Sequence, residues 1–234
     1  MLNRNPPQRP AAYAEEALVS AILGGEYPPG SALLAERQLA EALGVTRPTL
    51  REALQRLSRD GWVSIRQGKP TLVNDYRREG GLNVLTALVQ HAPQLPRNFI
   101  PDLLDVRCVL APAYARQAVA RNSDAVLAAL AGARTLPDTP RAFASFDWAL
   151  HRALTLASGN PIYTLILNGF AGFYEQMARR YFARPEARAA SRAFYEDLRA
   201  AAEAGDAALA GQVTETMMTK SLALWANARK PSAR

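Results

Sequence analysis

The side chains best equipped for chemistry in this 234-residue chain are Arg47, Thr49, Arg51, Gln55, Arg56 and Arg59, which share one face at helical spacing. They follow Thr46, whose hydroxyl suits an N-cap because it can accept from the unpaired N–H groups of a helix's first turn. Arginine can pair with guanine through two parallel hydrogen bonds, and threonine can meet a phosphate or the thymine methyl. A helix that begins this way therefore suits the major groove of DNA. Leu50, Ala53, Leu54 and Leu57 supply its apolar face. Ahead of Thr46, Leu39, Ala42, Leu43 and Val45 recur at helical spacing around Gly44, so two short helices with a sharp turn between them are expected.

The elements that would hold this helix can be read on either side. Ala14, Leu18, Ala21 and Ile22 mark a first helix over 11–23, which Gly24-Gly25 ends and Pro28-Pro29-Gly30 keeps from continuing. After Gly61, the run Trp62-Val63-Ser64-Ile65-Arg66 alternates like a strand, Gln67-Gly68-Lys69-Pro70 supplies turn residues, and Thr71-Leu72-Val73 returns. The order helix, helix, turn, helix and basic hairpin predicts a winged helix-turn-helix that grips a groove and its flanking phosphates. A small three-helix domain with an incidentally basic surface is the plainer alternative, and basic residues on both contact elements argue against it.

Composition agrees with a polyanionic partner. The formal net charge is +7, with a sequence pI near 9.9. Hydrophobic residues make up 49% and charged residues 21%, which suits an ordinary globular chain. Cys108 is the only cysteine, so no intrachain disulfide can form and a reducing cytoplasm fits. No hydrophobic run approaches a membrane span and residues 1–10 carry no signal-peptide pattern, so a cytoplasmic protein with no membrane partner is expected. Residues 1–10 read as a loose arm.

The winged unit accounts for 1–76, and 74–81, with Gly80-Gly81, reads as a hinge to a second domain over 82–234. That domain is expected to be all α, with helices at 82–89, 98–120, 124–133, 140–157, 161–181, 185–204 and 207–229, and a kink near Cys108 imposed by Pro112. The fold class is thus mostly α: a winged helix-turn-helix joined to an all-α antiparallel helical bundle. Large apolar residues from Leu165 to Tyr181 crowd one helix and serve either as core or as the wall of a ligand cavity. Asp147 and His151, at i and i+4, could begin a metal site. The chain has only one other histidine, His91, so a buried polar pair with no metal is the expectation. An enzyme is not indicated: there is no Gly-x-Ser-x-Gly elbow, and neither Cys108 nor the Asp147/His151 pair has a recognisable catalytic partner.

Several segments carry a resemblance as well. Tyr27-Pro28-Pro29-Gly30, Ala35-Glu36-Arg37, Gly44-Val45-Thr46-Arg47, Leu50-Arg51-Glu52-Ala53-Leu54 and Asp60-Gly61-Trp62 resemble the DNA-binding domain of GntR-type bacterial regulators. Gln67-Gly68-Lys69-Pro70-Thr71, Ala157-Ser158-Gly159-Asn160-Pro161-Ile162-Tyr163 and Tyr181-Phe182-Ala183-Arg184-Pro185-Glu186-Ala187-Arg188 resemble the acyl-CoA-responsive FadR branch of that family. The resemblance implies DNA contacts from Arg37, Thr46, Arg47, Thr49, Arg51, Gly68 and Lys69, with Pro48 and Gln67 standing where the branch has Thr and His. It implies an acyl-CoA site at Leu104, Arg107, Tyr181, Ser221 and Trp225, with His151, Met218 and Lys220 standing where the branch has Phe, Gly and Glu. It implies no cofactor, a long-chain fatty acyl-CoA effector, a homodimer and a double-stranded DNA operator with an inverted repeat. Two other readings remain: a GntR-type regulator answering a different ligand such as a carboxylate, and an acyl-CoA-binding carrier or enzyme.

Overall fold

The computed structural model describes residues 10–90 and 98–227. The arm at 1–9, His91 and the end of the last expected helix at 229 lie outside the described residues. Contacts divide the chain into two compact units, Met1–Leu95 and Pro96–Arg234.

In the first unit, α1 (Pro10–Leu23) packs against α3 (Arg47–Arg59), and α2 (Glu36–Ala42) lies beside α3. Leu18, Val19 and Ile22 of α1 are buried, as are Leu50, Ala53, Leu54 and Leu57 of α3, the face that the apolar spacing marked out. After α2 the chain turns at Gly44, where the amides of Gly44 and Val45 donate back to Glu41 and Ala40. Thr46 caps α3 as expected, its Oγ1 accepting from the Thr49 amide at 3.3 Å. Pro48 lies in the first turn of α3, where no internal amide bond is lost.

The wing is shorter than its alternation suggested: β1 (Val63–Ser64) pairs antiparallel with β2 (Leu72–Val73) through Val63↔Val73 and Ser64↔Leu72. Its other edge is covered by 31–33, with Ala32 bridged to Leu72, a pairing the turn-rich sequence there did not announce. At the tip, the Lys69 amide donates to the Arg66 carbonyl at 3.1 Å, and Gly68 at φ +71° occupies a position where a side chain would be strained.

The hinge expected at 74–81 is instead folded onto this unit. Asp75 caps α4 (Tyr76–Glu79), Tyr76 packs on Trp62 with ring centroids 5.3 Å apart, and Asn74 accepts from the Ser64 hydroxyl at 2.7 Å. The physical reason lies in Gly61. It sits at φ +88°, and a Cβ there would come within 2.4 Å of the Glu79 carbonyl oxygen, so only glycine lets α4 approach. The next helix, α5 (Asn83–Gln90), falls within the first unit by contacts, whereas the sequence division at 82 assigned it to the second.

Among the described residues the second unit is helical throughout: α6 (Phe99–Leu130), α7 (Pro140–Ala157), α8 (Pro161–Asn168), α9 (Ala171–Phe182), α10 (Pro185–Glu203) and α11 (Ala207–Asn227). The long α6 packs along α7, α10 and α11, and α9 packs on α7. Their core includes Tyr114, Leu130, Phe143, Leu150, Leu154, Tyr195 and Leu198.

Two helix expectations need correction. The break expected between helices 98–120 and 124–133 is present within α6 at Asn122 (φ −157°, ψ 69°), but the kink expected from Pro112 is not, since the backbone around Pro112 keeps helical angles. Asn122 breaks the helix because its side chain turns to accept from the Ala125 amide at 3.0 Å, capping the following segment. The single helix expected over 161–181 is two, separated at Gly169 and Phe170. Gly169 adds little to helix stability. The break lets Leu167, Phe170 and Phe173 all be buried while Ile162 and Leu165 face solvent.

Candidate functional site

In the first unit, the start of α2, the exposed face of α3 and the wing enclose an open trough of about 860 Å³. Its lining brings together Arg37, Arg47, Arg51, Gln67, Gly68 and Lys69 from the residues singled out in the sequence. Thr46, Pro48 and Thr49 form the first turn of α3 beside it, with the Thr46 and Thr49 hydroxyls 2.8 Å apart. The arginines of α3 divide into two groups. Arg56 is held by Glu52 at 2.7 Å and lies 3.6 Å from Glu15, and Arg59 is paired with Asp60 at 3.0 Å, so both are drawn into ion pairs of their own. Arg47 and Arg51 reach instead toward Glu36 at the start of α2. Arg66, Gln55 and Glu36 also line the trough; the basic, solvent-facing spacing marked Gln55, whereas nothing in the pattern gave Glu36 a role. A trough carrying five cations and backbone exposed at a glycine tip is suited to a phosphate backbone and an adjoining groove.

In the second unit, helices α6, α9 and α11 wall an apolar cavity of about 70 Å³. Leu104 and Arg107 of α6, Tyr181 of α9, and Met218, Ser221 and Trp225 of α11 all line it, so six of the eight residues proposed for the effector converge. The Tyr181 hydroxyl donates to Ser221 Oγ at 3.1 Å, and Ser221 in turn donates to the Met217 carbonyl at 2.9 Å. The Trp225 Nε1 is buried without a hydrogen-bond partner. Lys220 is exposed and lies away from the cavity, beside Ala190, Phe194 and Val213. It lies between Met218 and Ser221 on the sequence but not on their helix face, since neighbouring residues point about 100° apart.

His151 is fully buried behind Arg107. Arg107 Nη2 donates to His151 Nε2 at 3.0 Å, and His151 Nδ1 lies 2.7 Å from the Tyr114 hydroxyl. A guanidinium can only donate, so Nε2 must accept, and the neutral ring carries its proton on Nδ1 and gives it to Tyr114. Burial pushes the His151 pKa down to about 4, with Asp147 pulling upward and Arg107 adding to the depression. Both ring nitrogens are thereby engaged, which leaves the Asp147–His151 pair no free imidazole nitrogen for a metal ion.

Asp147 is satisfied in turn. The Tyr174 hydroxyl donates to its Oδ2, the Tyr195 hydroxyl donates to Oδ1 at 3.2 Å, and Arg107 Nη2 lies 3.5 Å from Oδ2. Burial works against the Arg107 cation, but the oxygens of Tyr174, Asp147 and Tyr114 outweigh it and raise its pKa, so it stays charged. Its guanidinium carbon also sits 5.6 Å from the Tyr174 ring centre. Burial raises the pKa of Tyr114, Tyr174 and Tyr195, so all three hydroxyls stay protonated, and those of Tyr174 and Tyr195 remain donors to Asp147. The sequence flagged Asp147 and His151 but missed the three tyrosines, because their roles depend on contacts between residues 27 to 48 positions apart.

Comparison with known proteins adds the family. Residues 10–73 match the model of bacterial regulatory proteins of the gntR family, and residues 74–232 match the FadR C-terminal domain. The fatty acid metabolism regulator protein of Klebsiella pneumoniae is 46% identical over 198 residues, covering 85% of this chain and 83% of its own. That of Edwardsiella ictaluri is 48% identical over 195 residues, covering 82% and 80%. A solved structure of Lar, described as controlling expression of the Listeria monocytogenes agr system, shares the fold with a TM-score of 0.62 at 17% identity, over 95% of this chain and 99% of its own. Among the described residues no helix is long and apolar enough to cross a membrane. With both domain models matched in order and close relatives aligned over most of their length, the chain belongs to the GntR family of bacterial regulatory proteins, among the fatty acid metabolism regulators, and is a regulator rather than an enzyme.

Proposed function

We propose that the chain works as a cytoplasmic homodimer that binds an inverted-repeat operator through the trough of each first unit and leaves it when a long-chain acyl-CoA enters the cavity of the second. Two-fold protein symmetry matches two-fold operator symmetry, so each α3 reads one half-site. The convergence of Arg107, Tyr181, Ser221 and Trp225 on one apolar cavity carries the effector reading. Arg107 meets the thioester or a phosphate oxygen, Tyr181 and Ser221 supply hydroxyls, and Leu104 and Trp225 pack on the acyl chain.

The cavity volume adds a condition. Pockets that hold drug-sized ligands measure roughly 300–1,000 Å³, several times the space between α6, α9 and α11. An acyl chain therefore enters only if Met177, Met217, Met218 and the neighbouring aromatic rings move apart, and that displacement couples ligand to conformation. A preference of about 1–3 kcal/mol for the off-DNA state suffices to change occupancy several-fold or more. The test is fluorescence anisotropy at one fixed salt concentration, using a duplex selected by this protein from a randomised library, with and without oleoyl-CoA. Tight binding reversed by oleoyl-CoA supports both halves. Binding indifferent to oleoyl-CoA removes the effector and keeps the DNA reading, and selection of no preferred duplex removes the DNA reading itself.

A further inference from the structure

Glu36 is the one acid among the described residues that line the cationic trough. A carboxylate there repels phosphates, so if the trough did no more than hold a DNA backbone, Glu36 would oppose it. Its contacts give it a different task. Glu36 is the first residue of α2, where a negative side chain is favoured by the helix end, and its Oε2 reaches across to α3. There it accepts from Arg51 Nε at 2.8 Å and stands 3.9 Å from Arg47 Nη2.

The choice of atom matters. A guanidinium has five N–H donors, and a hydrogen bond to Nε uses the edge nearest the chain while leaving both Nη groups for an outward contact. Arg51 is thus held by a rigid neighbour with its two-donor end unspent, the arrangement needed to pair with guanine O6 and N7. An arginine free to swing would collapse onto the nearest phosphate on any sequence, whereas one held at Nε meets a base edge without the entropy loss of being ordered then. The pair itself, exposed to water, adds little to folding stability.

We infer that Glu36 is a positioning residue for base readout, which directs Arg51 toward a base edge and penalises binding through phosphates alone. This rests on the reading of α3 as the DNA-reading helix. Glu36 acts through Arg51 and not by touching DNA, so its signature is a change in discrimination rather than in affinity.

The experiment compares the duplex selected by the unsubstituted protein with a scrambled duplex of equal length and composition, by anisotropy at one salt concentration. The proteins are the full chain, Glu36→Gln, Glu36→Ala and Arg51→Lys. Glu36→Gln keeps an acceptor for Arg51 Nε but removes the charge, and is expected to tighten scrambled binding several-fold while moving selected-duplex binding less. Glu36→Ala removes both and is expected to lower the ratio of selected to scrambled affinity about tenfold, within the range a bidentate guanine contact supplies. Arg51→Lys, which has no Nε donor at that place, is expected to lower the ratio similarly and to make a further Glu36→Ala change ineffective on it. Rescue of selected-duplex binding by Gln but not by Ala separates positioning from charge alone. A ratio unchanged within about twofold in Glu36→Ala overturns the inference even if absolute affinities shift, because equal shifts are what net charge alone produces. If the unsubstituted protein selects no duplex at all, the DNA reading fails first.

Discussion

Protonating His151 should weaken the second unit, and the size of the effect follows from its burial. The ring is fully buried, accepts from Arg107 and donates to Tyr114, and its pKa falls to about 4. An unfolded histidine titrates near 6.5, so between those two values the unfolded chain takes up a proton that the folded chain refuses. Stability is then full above about pH 6.5 and declines as pH falls toward 4, by about 3 kcal/mol at 1.36 kcal/mol per pKa unit. The groups facing the ring are Asp147, Arg107 and Tyr114, and Arg107 stays charged throughout, so protonation sets two cations 3.0 Å apart with Asp147 as the nearest offset. Because the chain has only two histidines, nitrogen-15 labelling of histidine resolves the site directly. The expected spectrum at pH 7 has one neutral ring with its proton on Nδ1, and that ring titrates below about pH 5. Urea unfolding followed through the second unit, compared with His151→Phe at each pH, should show the difference in stability shrinking or reversing as acid is added. A titration midpoint near 6.5, or a proton on Nε2, would refute the reasoning, since either requires that Arg107 not donate to this ring.

Changing Arg47 and Arg51 together to Ala should weaken binding to the selected duplex by at least about 100-fold and flatten its salt dependence, while thermal unfolding moves by less than about 1 kcal/mol because both side chains are exposed. Circular dichroism run beside the anisotropy separates the two effects, and surviving affinity would remove these residues from the contact surface. Gly61→Ala should destabilise the first unit by about 1–3 kcal/mol, as the new Cβ both strains a φ of +88° and meets the Glu79 carbonyl. Hydrogen exchange should show α4 losing protection first, and a variant as stable as the parent would mean that α4 does not pack as described.

What could be read in the sequence was what local rules control. Thr46 announced a helix start because an N-cap hydroxyl bonds within three residues, and α7 begins at Pro140 as expected, capped in the same way by Thr139. Apolar periodicity assigned the inner face of α3 for the same reason. The failures lie where distant residues decide. Gly80 and Gly81 look like a hinge until Gly61 admits α4 against the wing, and the two tyrosines that bond Asp147, Tyr174 and Tyr195, sit on two other helices, α9 and α10. The resemblance alone put Lys220 at the effector site, but its position on α11 turns it outward. Glu36 belonged to a recognised motif without a role, and only the position of Arg51 across the turn supplied one.

The same distinction between local and distant control governs Met218, which stands where the branch has glycine. Met218 is 4% exposed and lines the cavity beside Met217 and Ser221. Truncating it to Ala removes buried atoms and leaves a void, which should lower stability by about 2–5 kcal/mol if the walls do not close. On the effector reading proposed above, an acyl chain has to push the same side chain aside, so part of the work of opening is removed in the variant. The expected result is a lower melting temperature together with release from DNA at a several-fold lower oleoyl-CoA concentration, and oleoyl-CoA should raise the variant's melting temperature more than the parent's. Shorter acyl-CoAs should gain less, because they fill less of the added space. A variant that is destabilised with no change in oleoyl-CoA potency would refute this account of the cavity, since the space Met218 occupies would then lie off the ligand's path.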